Sequence, residues 1–252
     1  MNNNPIGIFD SGLGGLSVWQ EIDKLLPNES VIYYADSANC PYGLKSKERV
    51  IELSKKVVDF FLEKKCKIVV VACNTATSMA IDYLREHYSI PFVGIEPAVK
   101  PAALNSKTGV IGILATTGTL NSKMFNQTKE RFADNTEIIT VQADDLVEIV
   151  EKQLQGTQKS HDALVKHINP LIQKNIDHLV LGCTHFPLLI NDIKEITGNS
   201  IVLDNPAPAV ARRTKELLQE NDLCAQSDHK REIHFYSSGD INILERMVQT
   251  IF

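Results

Sequence analysis

The chain has 252 residues, 43% of them apolar, which suits one large domain or two small ones and excludes disorder over most of its length. Its 31 acidic and 26 basic side chains give a formal charge of −5 with no basic block able to track a phosphate backbone, so nucleic acid is not an expected partner. No run of 18 apolar residues is available to span a membrane, and MNNNPIGIFD carries neither the basic nor the apolar region of a leader, so a cytoplasmic protein without a membrane partner is expected. In that reducing compartment the five cysteines, Cys40, Cys66, Cys73, Cys183 and Cys224, should stay thiols.

In chain order, the first predicted strand, PIGIFD, runs into DSGLGGLSV, where Asp10, Ser11 and three glycines precede a helix. Glycines allow close backbone approach, and free N–H groups at a helix start favour an anion. Neither the GxGxxG nor the GxxxxGK[ST] spacing is present, so a tight structural turn and a ligand loop both fit. The next strand, SVIYYAD, leads to DSANCPYG, in which Tyr42 and Gly43 suit either a proline-anchored turn or the wall of a site. Cys40 in that turn has no acid, base or second cysteine at a telling spacing and reads as a small neutral side chain. From 46 to 65 a helix is predicted, with Val50, Leu53, Val57, Phe60 and Phe61 on its apolar face.

The strand KIVVVACN then delivers Cys73, followed by Asn74 and Thr75, into a polar turn. After IPFVGIE comes TGVIGILA, whose IGILATT repeats the character of IGIFDSG at an offset of 105 residues. TEIITVQA, HLVLGC, SIVLDN and EIHFYSSG complete the strands, and HLVLGC delivers Cys183, Thr184 and His185 at an offset of 110 residues from the first cysteine turn. Strands alternating with amphipathic helices predict an α/β fold with mainly parallel sheets flanked by helices. The two offsets predict two similar lobes with an active site in the crevice between them. One lobe spans 1–96 and carries Asp10 and Cys73; the other spans 97–208 and carries Cys183 and His185. The last segment, 209–252, fits either lobe by pattern and is assigned to the first.

A cysteine after a strand is often a small buried hydrophobe. Here each is followed by an amide or hydroxyl residue where a helix should begin, a position that lowers a thiol pKa from its free value of about 8.5. Asp10 and His185 are groups that exchange protons with a thiol if the fold brings them close. Cys73, Cys183, His185 and Asp10 are acceptable zinc ligands, but without CxxC or HxxxH spacing no metal is expected. The remaining reading is two thiols facing each other across a crevice, suited to a substrate approached from opposite faces.

The segments IFDSGLGGLSV, YYADSANCPYG, VACNTATS, GIEPAVKPA and LGCTHFPLL, in this order, resemble the glutamate racemases of the aspartate/glutamate racemase superfamily. The resemblance implies a cofactor-independent isomerase that interconverts L- and D-glutamate for peptidoglycan, with glutamate as its small-molecule partner and a homodimer as its assembly. It implies Cys73 and Cys183 as acid and base, Asp10 assisting Cys73 and His185 assisting Cys183. It implies substrate contacts from Asp10, Ser11, Tyr42, Gly43, Asn74, Thr75, Thr184 and His185. Glu151 aligns with an acidic family position but is not assigned a catalytic part. A racemase of aspartate or a related amino acid on the same fold is the alternative, and a binding protein on this scaffold would not require two acid–base groups.

Overall fold

Nine strands and eleven helices alternate through residues 1–251, the part of the chain that the computed structural model describes. The first series is β1 (Ile6–Asp10), α1 (Leu16–Leu25), β2 (Val31–Ala35), α2 (Lys47–Glu63), β3 (Ile68–Val71), α3 (Asn74–His87) and β4 (Phe92–Gly94). The second is α4 (Val99–Asn105), β5 (Val110–Ala115), α5 (Thr117–Leu120), α6 (Lys123–Phe132), β6 (Glu137–Gln142), α7 (Asp145–Glu151), α8 (Gln158–Ile172), β7 (His178–Gly182), α9 (Ile190–Thr197) and β8 (Val202–Asp204). The chain closes with α10 (Ala207–Glu220), β9 (Ile233–Ser237) and α11 (Ile241–Ile251).

All strand pairs are parallel, in one sheet of order β4-β3-β1-β2-β9 and another of order β8-β7-β5-β6. The α/β fold expected from the alternation is therefore present. So is the repetition: β5 to β8 occupy the places of β1 to β4, and the two IGI segments are the interior strands β1 and β5. β9 adds to the outer edge of β2, with Val31 opposite Ile233, and α10 packs along α1.

β1, β3 and β7 are buried at every residue because helices cover both faces, which is why they read as unbroken apolar runs. The edge strand β6 is half-exposed and carries polar Glu137, Thr140 and Gln142. α2 starts where the Ser46 hydroxyl accepts from the Arg49 N–H, and it buries Val50, Leu53, Val57 and Phe61. Phe60 is half-buried instead, packed edge-on to Tyr236. Phe61 lies directly over Gly7 of β1: a Cβ there would sit 2.8 Å from the ring. Gly112 holds the same place in β5 beneath Ile176 and Leu171, at 2.9 and 3.1 Å. Each central strand thus keeps a glycine where a helix comes closest, and burying a side chain such as Phe61 stabilises the packing by about 1.5–3 kcal/mol.

Candidate active site

The carboxyl ends of β1, β3, β5 and β7 converge, as open parallel sheets require of a ligand site. Hydrogen bonds stitch the loops of the two sheets together there. Thr184 Oγ1 donates to Asp10 Oδ1 at 3.1 Å, Ser17 Oγ donates to the Thr184 carbonyl at 3.0 Å, and the Leu13 N–H donates to Glu151 Oε1 at 2.7 Å. Thr75 Oγ1 lies 3.0 Å from Thr116 Oγ1, which lies 3.1 Å from Thr119 Oγ1, so a hydroxyl cluster also bridges α3 and α5.

All ten residues singled out in the sequence are buried along this seam: Asp10, Ser11, Tyr42, Gly43, Cys73, Asn74, Thr75, Cys183, Thr184 and His185. Cys73 is the N-cap of α3, where its sulfur accepts from the Ala76 N–H at 3.4 Å, and Ser11 Oγ is 3.7 Å away. The helix start was expected to favour the Cys73 thiolate. Burial outweighs it: burial first, then the Asp10 charge, push this thiol well above its ordinary range, against the smaller pull of Ala76. The charge of Cys183 adds to the same upward push, which marks the two sulfurs as electrostatic neighbours.

Cys183 precedes a 3-10 turn, Phe186–Leu189, rather than an α-helix. Its sulfur lies 3.6 Å from His185 Nδ1, and His185 Nε2 lies 2.6 Å from Glu151 Oε1. Burial disfavours charge on this imidazole, but hydrogen bonds to Cys183, Cys40 and Glu151 overcome it and raise its pKa well above 6.5. The site thus has the logic of a nucleophile, a base and an orienting carboxylate.

Three placements differ from expectation. Asp10 is not bonded to Cys73; its oxygens accept from Thr184 Oγ1 and, at 3.0 Å, from the Gly12 N–H, so it acts on the thiol through its field. Tyr42 gives its hydroxyl to Asp36 at 2.6 Å, leaving its ring and backbone to wall the site. The DSGLGG loop does approach an anion closely, but that anion is the protein's own Glu151. A Cβ at Gly12 would fall 2.0 Å from Glu151 Oε1, and one at Gly14 would fall 2.4 Å from His185 Nδ1.

Glu151, Cys40, Asp36 and the Thr116–Thr119 hydroxyls were missed as members of the site. The only signal for Glu151 was its family alignment. Asn74 offers the clearest opening for a ligand: it is buried, and neither polar atom of its amide has a partner. An unsatisfied buried amide costs about 1–3 kcal/mol, which a polar ligand would recover.

Residues 6–213, which hold both sheets and both thiols, match the Asp/Glu/Hydantoin racemase family; the chain belongs to this family. It is an amino-acid racemase, and within the family its similarity is to the glutamate racemases. It is 42% identical over 240 residues to a glutamate racemase of Herpetosiphon aurantiacus, covering 95% of this chain and 94% of the relative. A glutamate racemase from Bacillus anthracis, 32% identical, superposes with a TM-score of 0.89 over 100% of this chain and 94% of that one. Escherichia coli glutamate racemase in complex with L-glutamate and the activator UDP-MurNAc-ala, 34% identical, gives 0.87 over 98% and 94%. Among the described residues no helix is long and apolar enough to cross a membrane.

Proposed function

We propose that the chain interconverts L- and D-glutamate, with Cys73 and Cys183 as the two acid–base groups on opposite faces of Cα. The observation that carries this reading is the pair of buried thiols at equivalent strand ends, each with its own proton partner, around the unpartnered amide of Asn74. From L-glutamate, Cys183 takes the α-proton and Cys73 gives one to the other face; from D-glutamate the roles reverse. His185, 3.6 Å from the Cys183 sulfur, assists that thiol, and Asp10 acts on Cys73 through its charge.

The enantiomers are equal in free energy in water, so only the barrier has to fall. Each ~1.4 kcal/mol taken from it is about tenfold in rate. The carbanion is stabilised by fixed donors, which need no reorganisation as charge develops: the N–H groups of the Ser11, Gly43 and Asn74–Thr75 turns and the Thr75 and Thr184 hydroxyls. The ammonium of the incoming amino acid lowers the Cys73 pKa that burial has raised, so binding itself prepares the base.

The same reading takes 1–96 with 209–252 as one lobe and 97–208 as the other, supported by β9 joining β2 and α10 lying on α1. It takes the enzyme as a cofactor-independent, cytoplasmic homodimer that supplies D-glutamate for peptidoglycan, as the resemblance implies. The test is incubation with L-glutamate in D₂O, following optical activity and α-deuterium together. Loss of optical activity with deuterium uptake is expected; inversion of aspartate but not glutamate would transfer the reading to an aspartate racemase.

A further inference from the structure

A third cysteine lies at the edge of the crevice and takes no part in the proton transfers above. Cys40 is half-buried in the turn after β2, followed by a cis peptide to Pro41. Its sulfur, a carboxylate oxygen of Glu151 and a ring nitrogen of His185 all lie within 4.8 Å of one another. Thiolate, carboxylate and imidazole together are a donor set that borderline-soft divalent ions accept.

The geometry is close to what such an ion needs. With bonds of about 2.0–2.3 Å, a tetrahedral ion spaces its donors about 3.3–3.7 Å apart. His185 and Glu151 have to part from their 2.6 Å contact, while the Cys40 sulfur already lies within 4.8 Å of both. Glu151 is otherwise steadied by the Leu13 N–H, and His185 stands at the start of a 3-10 turn, so both donors are fixed from behind.

The cluster also has an approach suited to cations. Cys40 and Glu151 line a cleft of about 430 Å³ whose other walls carry Asp144, Asp145 and Glu148 against a single Lys152. A mouth of one dominant sign raises the local concentration of the opposite ion.

We propose that Cys40, Glu151 and His185 form an inhibitory site for a thiophilic divalent cation of the Zn²⁺ class, with water from the cleft as the fourth ligand. Binding releases the Cys40 thiol proton and the proton between His185 and Glu151 to solvent, and leaves the imidazole as a metal ligand. His185 then no longer serves Cys183, and racemisation stops without the ion touching Cys73 or Cys183. The inhibition rests on the part assigned to His185 above; the binding does not.

The test uses the chelator-treated full chain titrated with Co²⁺, a visible substitute for Zn²⁺. One ion per chain is expected, with thiolate-to-cobalt charge-transfer absorption that disappears in both Cys40→Ala and Cys40→Ser and persists in Cys183→Ala. The Zn²⁺ concentration that halves each protein's own metal-free rate should rise at least about tenfold in either Cys40 variant. Losing only an outer partner of a metal ligand already costs about 10–100-fold in affinity. Absence of the cobalt–thiolate band in the parent, or its survival in both Cys40 variants and loss in Cys183→Ala, overturns the site. Cys40-dependent binding with undiminished racemisation overturns the inhibition. A chain that binds cobalt through Cys40 but racemises nothing keeps the metal site and loses the racemase reading instead.

Discussion

Cys73 and Cys183 end equivalent strands of a repeated sheet, yet their surroundings are not copies. Cys73 caps a long helix, is held by the Ala76 N–H and lies in the field of Asp10; Cys183 precedes a short 3-10 turn and leans on His185, which leans on Glu151. Duplication explains why a thiol stands at the end of each equivalent strand. It does not explain their proton partners, which each half has built separately: a bare carboxylate field on one side, an imidazole–carboxylate relay on the other. In the ligand-free protein burial and the Asp10 charge hold the Cys73 pKa high, while hydrogen bonds to Cys183, Cys40 and Glu151 raise that of His185.

The largest expected effect comes from removing either thiol. Cys73→Ser and Cys183→Ser should each slow racemisation by about 10²–10⁴-fold or more, in both directions, because both faces are needed. Proton exchange without inversion separates the halves: Cys183→Ser should exchange the α-proton of D-glutamate faster than that of L-glutamate in D₂O, and Cys73→Ser the reverse. Equal exchange of both enantiomers by both variants would break the assignment of faces.

Next in size is Gly14→Ala, which drives a methyl to within 2.4 Å of His185 Nδ1 on the Cys183 side alone. A loss of about 1–3 kcal/mol in urea unfolding is expected, as for other overpacked sites. An unchanged midpoint would mean that the loop yields, and that His185 is less fixed than its burial implies.

Glu151→Gln keeps the shape of the relay and removes its charge. Racemisation should fall by about tenfold or more, and the His185 pKa, read by imidazole NMR, should fall with it. The linkage has a definite sign. A histidine whose folded pKa is raised contributes stability that is fully present below the unfolded value near 6.5 and is lost as pH rises through the folded value. The parent should therefore lose thermal stability as pH climbs above neutral, and Glu151→Gln should flatten that decline. A parallel decline in both proteins would detach the relay from stability.

The strands, the repetition and the two cysteine turns were legible because each shows in a short segment: an apolar run of five residues, an IGI run that recurs, a polar turn after a strand. The site's cross-links were not. Glu151 lies 34 residues from His185 and 138 from Leu13, and no local pattern reports a contact made only when two sheets meet. Cys40 looked inert for the same reason, since its neighbours come from α7 and from the turn after β7. The Cys73 pKa was misread because a helix start is visible in sequence and the extent of burial opposing it is not. The glycine loop was ambiguous between turn and ligand loop because its partner anion is a side chain of the other half.

The smallest effect should come from Asp10→Asn, and it bears most directly on the comparison. The amide keeps an oxygen for Thr184 but removes the negative charge beside Cys73 and the acceptor for the Gly12 N–H. A negative neighbour disfavours a second negative charge, so the Cys73 pKa should move down, while burial, the larger cause, stays in place and limits the shift. The ultraviolet thiolate absorbance that Cys73→Ser removes, followed against pH in a Cys183→Ser background with and without Asp10→Asn, reports this one thiol among the five. A downward move makes Asp10 an electrostatic partner that keeps Cys73 protonated until the substrate ammonium arrives. No move would leave burial alone in charge of that thiol, and the Cys73 half of the site would then have no proton partner comparable to His185.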